Sequence, residues 1–213
     1  QWGREFASRA VFAVWKELGY MPALNDRHVC EFWPWFLLGK EGELPCGITR
    51  TSVQSRRERA IPSKERLMRY AATGDESLWD GWDASPDPAT RVMEALLGGE
   101  PYRGSANFGN VGQMDFCPRG AVVETSCLFD SAGVHPLAVD VPPLLQALIL
   151  PNVIRQEAAI DIALSGSFDQ LVALAMTDPL FSRLLPGETR QLMRELLHAN
   201  RQQIQNPRLL EFS

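Results

Sequence analysis

"YRGSANFGNVGQMDFCPRGAVVETSCLFDSAGVHPLAV" runs from Tyr102 to Val139, and the class of the fold turns on how it is read. Its first third is rich in glycine and asparagine, the residues of turns. "AVVETSCLF" (Ala121–Phe129) is β-branched and strand-like, and "DSAGVHPLAV" reads as a turn followed by another short strand. The texture on either side is helical. Upstream, Phe6, Ala10, Val14 and Leu18 recur every four residues as one helical stripe, with Gly19 as its stop. Lys64–Ala72 reads as a short helix. Asp87 and Pro88 supply a cap and a first-turn proline for another, which carries Val92, Met93, Leu96 and Leu97 inward and stops at Gly98-Gly99. Downstream of Pro142-Pro143 the chain reads helical almost to its end. Pro151 breaks or kinks that stretch, Ser167 caps the next helix, and Pro179 closes it. Glu188–His198 gives a last amphipathic helix through Leu192, Leu196 and Leu197. A few strands among many helices, with no repeat and no low-complexity linker, predict one helix-dominated α+β domain over residues 1–213.

With 213 residues, the chain can bury a substantial core without staples. Its net charge of -5 argues against a general nucleic-acid binder, and the basic run "SRRER" (Ser55–Arg59) reads as a solvated face. Cys30, Cys46, Cys117 and Cys127 form no C-x-x-C pair and no disulfide framework, which fits reduced thiols in the cytoplasm. "LLQALIL" between prolines is too short to span a bilayer. The chain opens at Gln1 directly before a helical pattern, which suggests a piece of something longer.

The densest chemistry lies in "ALNDRHVCEFWPWF" (Ala23–Phe36). An acid, a guanidinium, an imidazole and a thiol stand together in a loop ahead of four large aromatics. His28 and Cys30 are zinc-ligand types, yet neither the H-x-E nor the P-C-x-x-C of zinc deaminases is present, and His135 stands far off in sequence. Cys30 before Phe32 and Trp33 reads as a small buried hydrophobe rather than a nucleophile. Neither G-x-G-x-x-G nor G-x-x-x-x-G-K occurs, so no metal site and no cofactor-binding residues are assigned within this chain. From residue types alone, Asp26-Arg27-His28 reads first as a local Asp–Arg ion pair with a core histidine.

The order of the segments goes further. "LGYMPALNDRHVCEFWPWF" resembles the "GY…GDRH…EFFP" stretch of family-4 glycoside hydrolases. Asn107, Asn110 and Gly112 match that family's N-x-x-N-x-G. Pro118, Gly120, Val123 and Glu124 match its Pro-Gly turn and "VVE", and Gly133, Pro136 and Leu137 match its G-x-x-P-L. "RQEAAIDIALSGSFDQLVALAMTDPL" resembles its late helices, so the resemblance runs from Phe6 to about Leu180. Asn25 stands where the family has glycine, and "VETSC" where it has "VEVP".

The resemblance implies a C-terminal substrate domain like that of lactate and malate dehydrogenases, helix-rich with a small, mostly antiparallel sheet. Its N-terminal dinucleotide-binding domain lies outside this chain. It implies a hydrolase that breaks O-glycosidic bonds through NAD-dependent oxidation at C3 and elimination across C1–C2, with a divalent metal, commonly manganese. Such enzymes stand outside the two-carboxylate scheme of most glycosidases. Asp26, at the family's Gly-Asp position, is then the candidate base for the C2 proton or a substrate-positioning acid. Arg27, His28, Asn107 and Asn110 are candidate contacts to substrate. NAD and metal belong to the full-length protein, and the fragment by itself is expected to be inactive. The expected partners are a glycoside, the protein's own dinucleotide-binding domain and a second copy, rather than nucleic acid or membrane. Self-association, expected as a dimer, is ascribed to the aromatics Trp33, Trp35 and Phe36. The alternatives are a stand-alone sugar-binding or oligomerisation module, or the substrate domain of a 2-hydroxy-acid dehydrogenase.

Overall fold

The computed structural model describes residues 9–23, 26–33, 36, 52–80 and 88–212, the side chains of Asp26, Arg27 and Arg59 excepted. The chain divides into two compact units, Gln1–Trp82 with Asp178–Leu184, and Asp83–Thr177 with Leu185–Ser213.

In the first unit, α1 (Arg9–Leu18) ends where the stripe predicts, with Gly19 at φ 75° donating its N–H to the Trp15 carbonyl. Ala10, Val11 and Val14 of α1 are buried with Val29, Cys30 and Phe36, and Leu18 and Trp33 pack on their edge. The Asp26–His28 stretch, read from sequence as a loop, opens a second helix, α2 (Asp26–Phe32). Burying both Val29 and Cys30 against α1 favours the helix, because these neighbours would point to opposite faces of an extended segment. The aromatics invoked for self-association are partly used here: Phe36 is buried and Trp33 half-buried in this core, and Trp35 lies outside the described residues. The 3-10 turn Pro179–Phe181 closes against α2.

The next helix is far longer than its sequence signal. α3 covers Val53–Thr73, 21 residues, and continues through Pro62. Its ends explain the length. Ser52 Oγ accepts from the Ser55 N–H, and Gly74, at φ 67°, donates to the Tyr70 carbonyl. "SRRER" therefore belongs to a helix. A 3-10 turn, Glu76–Trp79, follows and sets Trp79 edge-on to Tyr70, ring centroids 5.5 Å apart.

The second unit is built on a three-stranded antiparallel sheet in the order β1-β2-β3, with β1 Tyr102–Gly109, β2 Val122–Asp130 and β3 Gly133–Pro136. The glycine-rich stretch is thus largely a strand, and its turn is confined to the residues after Gly109. On β2, Val123, Thr125, Cys127 and Phe129 are buried. α4 (Pro88–Leu96) brings Val92 and Ala95 onto Cys127 and Phe129, and α5 (Pro143–Ser165) brings Ile149 and Val153 onto Val123. The expected inward face of α4 is corrected: Met93, Leu96 and Leu97 are exposed, because the short side chain of Ala95 lets the helix approach the sheet on its own side. α5 runs through Pro151 rather than breaking there. α6 (Phe168–Ala175) carries the capping box of Ser167 and Gln170, and α7 (Pro186–Ala199) sets Leu197 against Phe168 and Val172. The Asn206 amide fastens the C-terminal segment to the Ile162 and Gly166 carbonyls.

Candidate functional site

The first cluster follows from α2. Since Val29 and Cys30 face the core, His28 stands on the outer side, exposed, with its Nδ1 3.4 Å from Glu31 Oε2 one turn on. A pair with both side chains 55% exposed contributes little to stability. The helix also separates His28 from Cys30, which is 5% exposed, so the thiol is a core residue as the sequence suggests. Asp26 and Arg27 form the first positions of α2, one turn from that core.

The second cluster is the β1–β2 connection. Asn110 is 2% exposed and fastens it. Its Nδ2 donates to the carbonyls of Met114 (2.8 Å), Cys117 (2.8 Å) and Pro118 (3.1 Å). Its Oδ1 accepts from the N–H groups of Gly112 (3.1 Å) and Met114 (3.2 Å). These bonds commit the whole amide, so Asn110, expected from sequence to contact substrate, is a scaffold residue. Buried Gln113 works beside it: its Oε1 accepts from the Val111 N–H and its Nε2 donates to the Gly109 carbonyl. Arg119 reaches back to the Val111 carbonyl at 2.8 Å. Gly112 (φ 122°) and Gly120 (φ 87°) provide the backbone turns that only glycine adopts freely. Gln113 and Arg119 were missed in the sequence reading. Their signal was there, a glutamine three residues after the second asparagine and an arginine before the turn glycine.

Asn107 differs from Asn110. It lies on the exposed face of β1, directly across from Glu124 on β2. That face also carries Arg103 and Ser105, and its far end carries His135, whose Nε2 lies 2.9 Å from Asp130 Oδ1. The hydrogen bond from His135, then the Ala132 N–H, hold the Asp130 carboxyl below the usual carboxylate range. Burial, with Asp115 nearby, pushes the Cys117 thiol up, so it is a weak thiolate former.

Among the described residues no three His, Cys, Asp or Glu side chains gather as a metal site. Cys30, Cys117 and Cys127 are buried, and no helix among the described residues is long and apolar enough to cross a membrane.

Residues 1–181 match the Family 4 glycosyl hydrolase C-terminal domain. The alpha-galacturonidase of Thermoanaerobacterium saccharolyticum is 31% identical over 194 residues, 90% of this chain and 41% of that protein. The alpha-galactosidase of Rhizobium meliloti is 26% identical over 206 residues, 87% of this chain and 40% of that protein. The chain thus spans about two fifths of the length of these curated relatives. Among solved structures, lplD from Bacillus subtilis superposes with a TM-score of 0.73 at 23% identity, covering 89% of this chain and 42% of that one. A 6-phospho-alpha-glucosidase from gut microorganisms, in complex with NAD and Mn2+, gives a TM-score of 0.67 at 17% identity, covering 92% and 43%. At these identities the structural likeness speaks for the fold. The fold, the ordered motifs and the match along 1–181 together place the chain in the family 4 glycosyl hydrolases, as their C-terminal domain.

Proposed function

We propose that the chain is the substrate domain of a cytoplasmic glycosidase that cleaves by C3 oxidation and C1–C2 elimination, and that its substrate is an α-linked galacturonide. The observation that carries this reading is the family match over 1–181, which takes in both "NDRH" and the "NFGNVG" turn. Four relatives, 25% to 31% identical, are alpha-galacturonidases, against two alpha-galactosidases at 26% and 27%, which favours a uronide over a neutral galactoside. Buried reduced cysteines support the cytoplasmic setting.

In the longer protein a dinucleotide-binding domain completes the enzyme; NAD and a divalent metal, commonly manganese, when bound there, supply a reversible hydride acceptor and polarise the sugar oxygens. This chain's task is proton transfer and orientation. Asp26 accepts the C2 proton, acidified by the neighbouring C3 ketone, as the C1–O bond breaks and the leaving group departs. The departing alkoxide takes a proton from solvent; water then adds at C1 and gives up a proton in turn, while Asp26 returns its own proton to C2, so the carboxylate is regenerated. Arg27 pairs with the uronate carboxylate, and His28 and Asn107 donate to sugar oxygens. Asn110 acts through the turn it holds.

Asp26→Asn in the full-length protein tests this reading, since it keeps the shape and removes the basicity. Turnover falls roughly 10²–10⁴-fold, the scale of losing a general base. Exchange of the C2 proton with solvent deuterium is lost, while NAD affinity and folding stay as in the parent. Exchange at the parental rate removes Asp26 from the role of base.

A further inference from the structure

α2 is too short to hold its own position. Its seven residues, Asp26–Phe32, make just under two turns, and an isolated helix of that length does not persist in water. Where Asp26 and His28 stand is therefore decided by what packs against the helix. Within the first unit α1 does so, and so does the 3-10 turn Pro179–Phe181.

That turn belongs to a strap, Asp178–Leu184, which is part of the first unit although the chain before it and after it belongs to the second. The strap is stiffened from within. Asp178 Oδ1 accepts from the Leu180 N–H at 2.8 Å, and Pro179 opens the turn. The Ser182 N–H returns to the Pro179 carbonyl at 3.2 Å, and the Leu184 N–H to the Phe181 carbonyl at 2.9 Å.

Both ends of the strap are tied down in the second unit. At the exit, half-buried Arg155 of α5 donates through Nη1 to the Thr177 carbonyl at 3.1 Å and through Nη2 to Asn152 Oδ1. Asn152 is held in turn, its Nδ2 on the Leu148 carbonyl at 2.7 Å. Thr177 Oγ1 donates to the Leu174 carbonyl at 2.7 Å, which fixes the same residue from the α6 side. Bonds from a guanidinium are stronger than those between neutral groups, so Arg155 is a firmer tether than an ordinary turn contact. At the return, the Leu185 N–H donates to Glu188 Oε2 at 2.7 Å, in the first turn of α7.

We propose that Arg155 and Glu188 are positioning residues for the proton transfer: they fix the two ends of the strap, the strap steadies α2, and α2 carries Asp26. The inference rests on the reading of Asp26 as the base. Neither residue is assigned a contact with substrate. Loss of either tether lets α2 shift, and a misplacement of about 1 Å can cost roughly a hundredfold in rate.

The test uses the full-length protein with NAD and manganese bound. Arg155→Met keeps the length of the side chain and removes its donors. Exchange of the C2 proton of an α-galacturonide with solvent deuterium is expected to fall roughly tenfold to a hundredfold, with KM little changed. Arg155→Lys, which keeps a cationic donor, recovers most of that loss. Glu188→Ala behaves like Arg155→Met, whereas Glu188→Gln, which still accepts from the Leu185 N–H, behaves like the parent. Amide hydrogen exchange read by mass spectrometry gives a measure separate from catalysis: residues 26–32 exchange faster in Arg155→Met and Glu188→Ala, and residues 122–130 exchange as in the parent. Parental protection of residues 26–32 in both variants overturns the proposal. So does C2 exchange at the parental rate, or equal loosening of residues 26–32 and 122–130, which would mark general instability. Parental C2 exchange in Asp26→Asn together with a loss in Arg155→Met would uphold the strap and move the base to another residue, so the two readings fail separately.

Discussion

Asn110 shows how one side chain can decide whether a loop exists as a single shape. Its amide answers five backbone groups at once, so Asn110→Ala leaves several buried donors and acceptors unmatched. We expect a loss of roughly 2–3 kcal/mol, read from denaturant unfolding. Asn110→Asp should be no better, since it points an anionic oxygen at three carbonyls. Stability of either variant equal to the parent's would contradict the scaffold assignment. Arg27→Ala separates uronide recognition from general damage: kcat/KM should fall about tenfold to a hundredfold on an α-galacturonide, the scale of one hydrogen bond to a charged group, and little on an α-galactoside. Equal losses on both would remove the guanidinium from carboxylate recognition. At Asp130 the folded-state pKa is lowered, so its contribution to stability is present above the unfolded carboxylate range and is lost as pH falls through the folded value. His135→Ala should raise that pKa toward the ordinary range, visible in an NMR titration of the carboxyl carbon. Asn107 and Asn110 share a residue type and one motif, and only tertiary context separates an exposed strand amide from a buried fastener. That distinction was beyond the sequence.

At the level of elements, the signals that survived were local and strong. Gly19, the Ser167 cap and the β-branched run of β2 each carry their reason within a few residues. The readings that failed depended on what lay across the fold. α2 is a helix because α1 offers a wall for both Val29 and Cys30. α4 turns on Ala95 because a helix lies closest to a sheet where its side chain is smallest. Pro151 was read as a break or a kink, yet α5 passes through it, as α3 passes through Pro62. Asn152 shows part of the accommodation, its amide donating to the Leu148 carbonyl at 2.7 Å beside the proline. Pro151→Ala restores the missing N–H and should stabilise the protein by up to about 3 kcal/mol, measured as a rise in the denaturant midpoint. A fall instead would mean that α5 needs the bend for its packing on Val123.

Across the whole molecule, the two units hold separate cores with different thiols. Cys30 lies in the first, and Cys117 and Cys127 in the second, each 5% exposed or less. A maleimide cannot reach any of them until its own unit opens. The rate at which each becomes alkylated is therefore a clock for one part of the chain, legible by mass spectrometry of the peptides and requiring no engineered probe. Labelling in the regime of rapid reclosing reports the equilibrium between closed and open forms. If Cys30 and the Cys117–Cys127 pair react at one common rate, the chain opens as a single cooperative body. If Cys30 reacts first, the helix that bears Asp26 belongs to the more readily opened part. Native thiols would then report how readily the helix that bears the proposed proton-transfer residue opens.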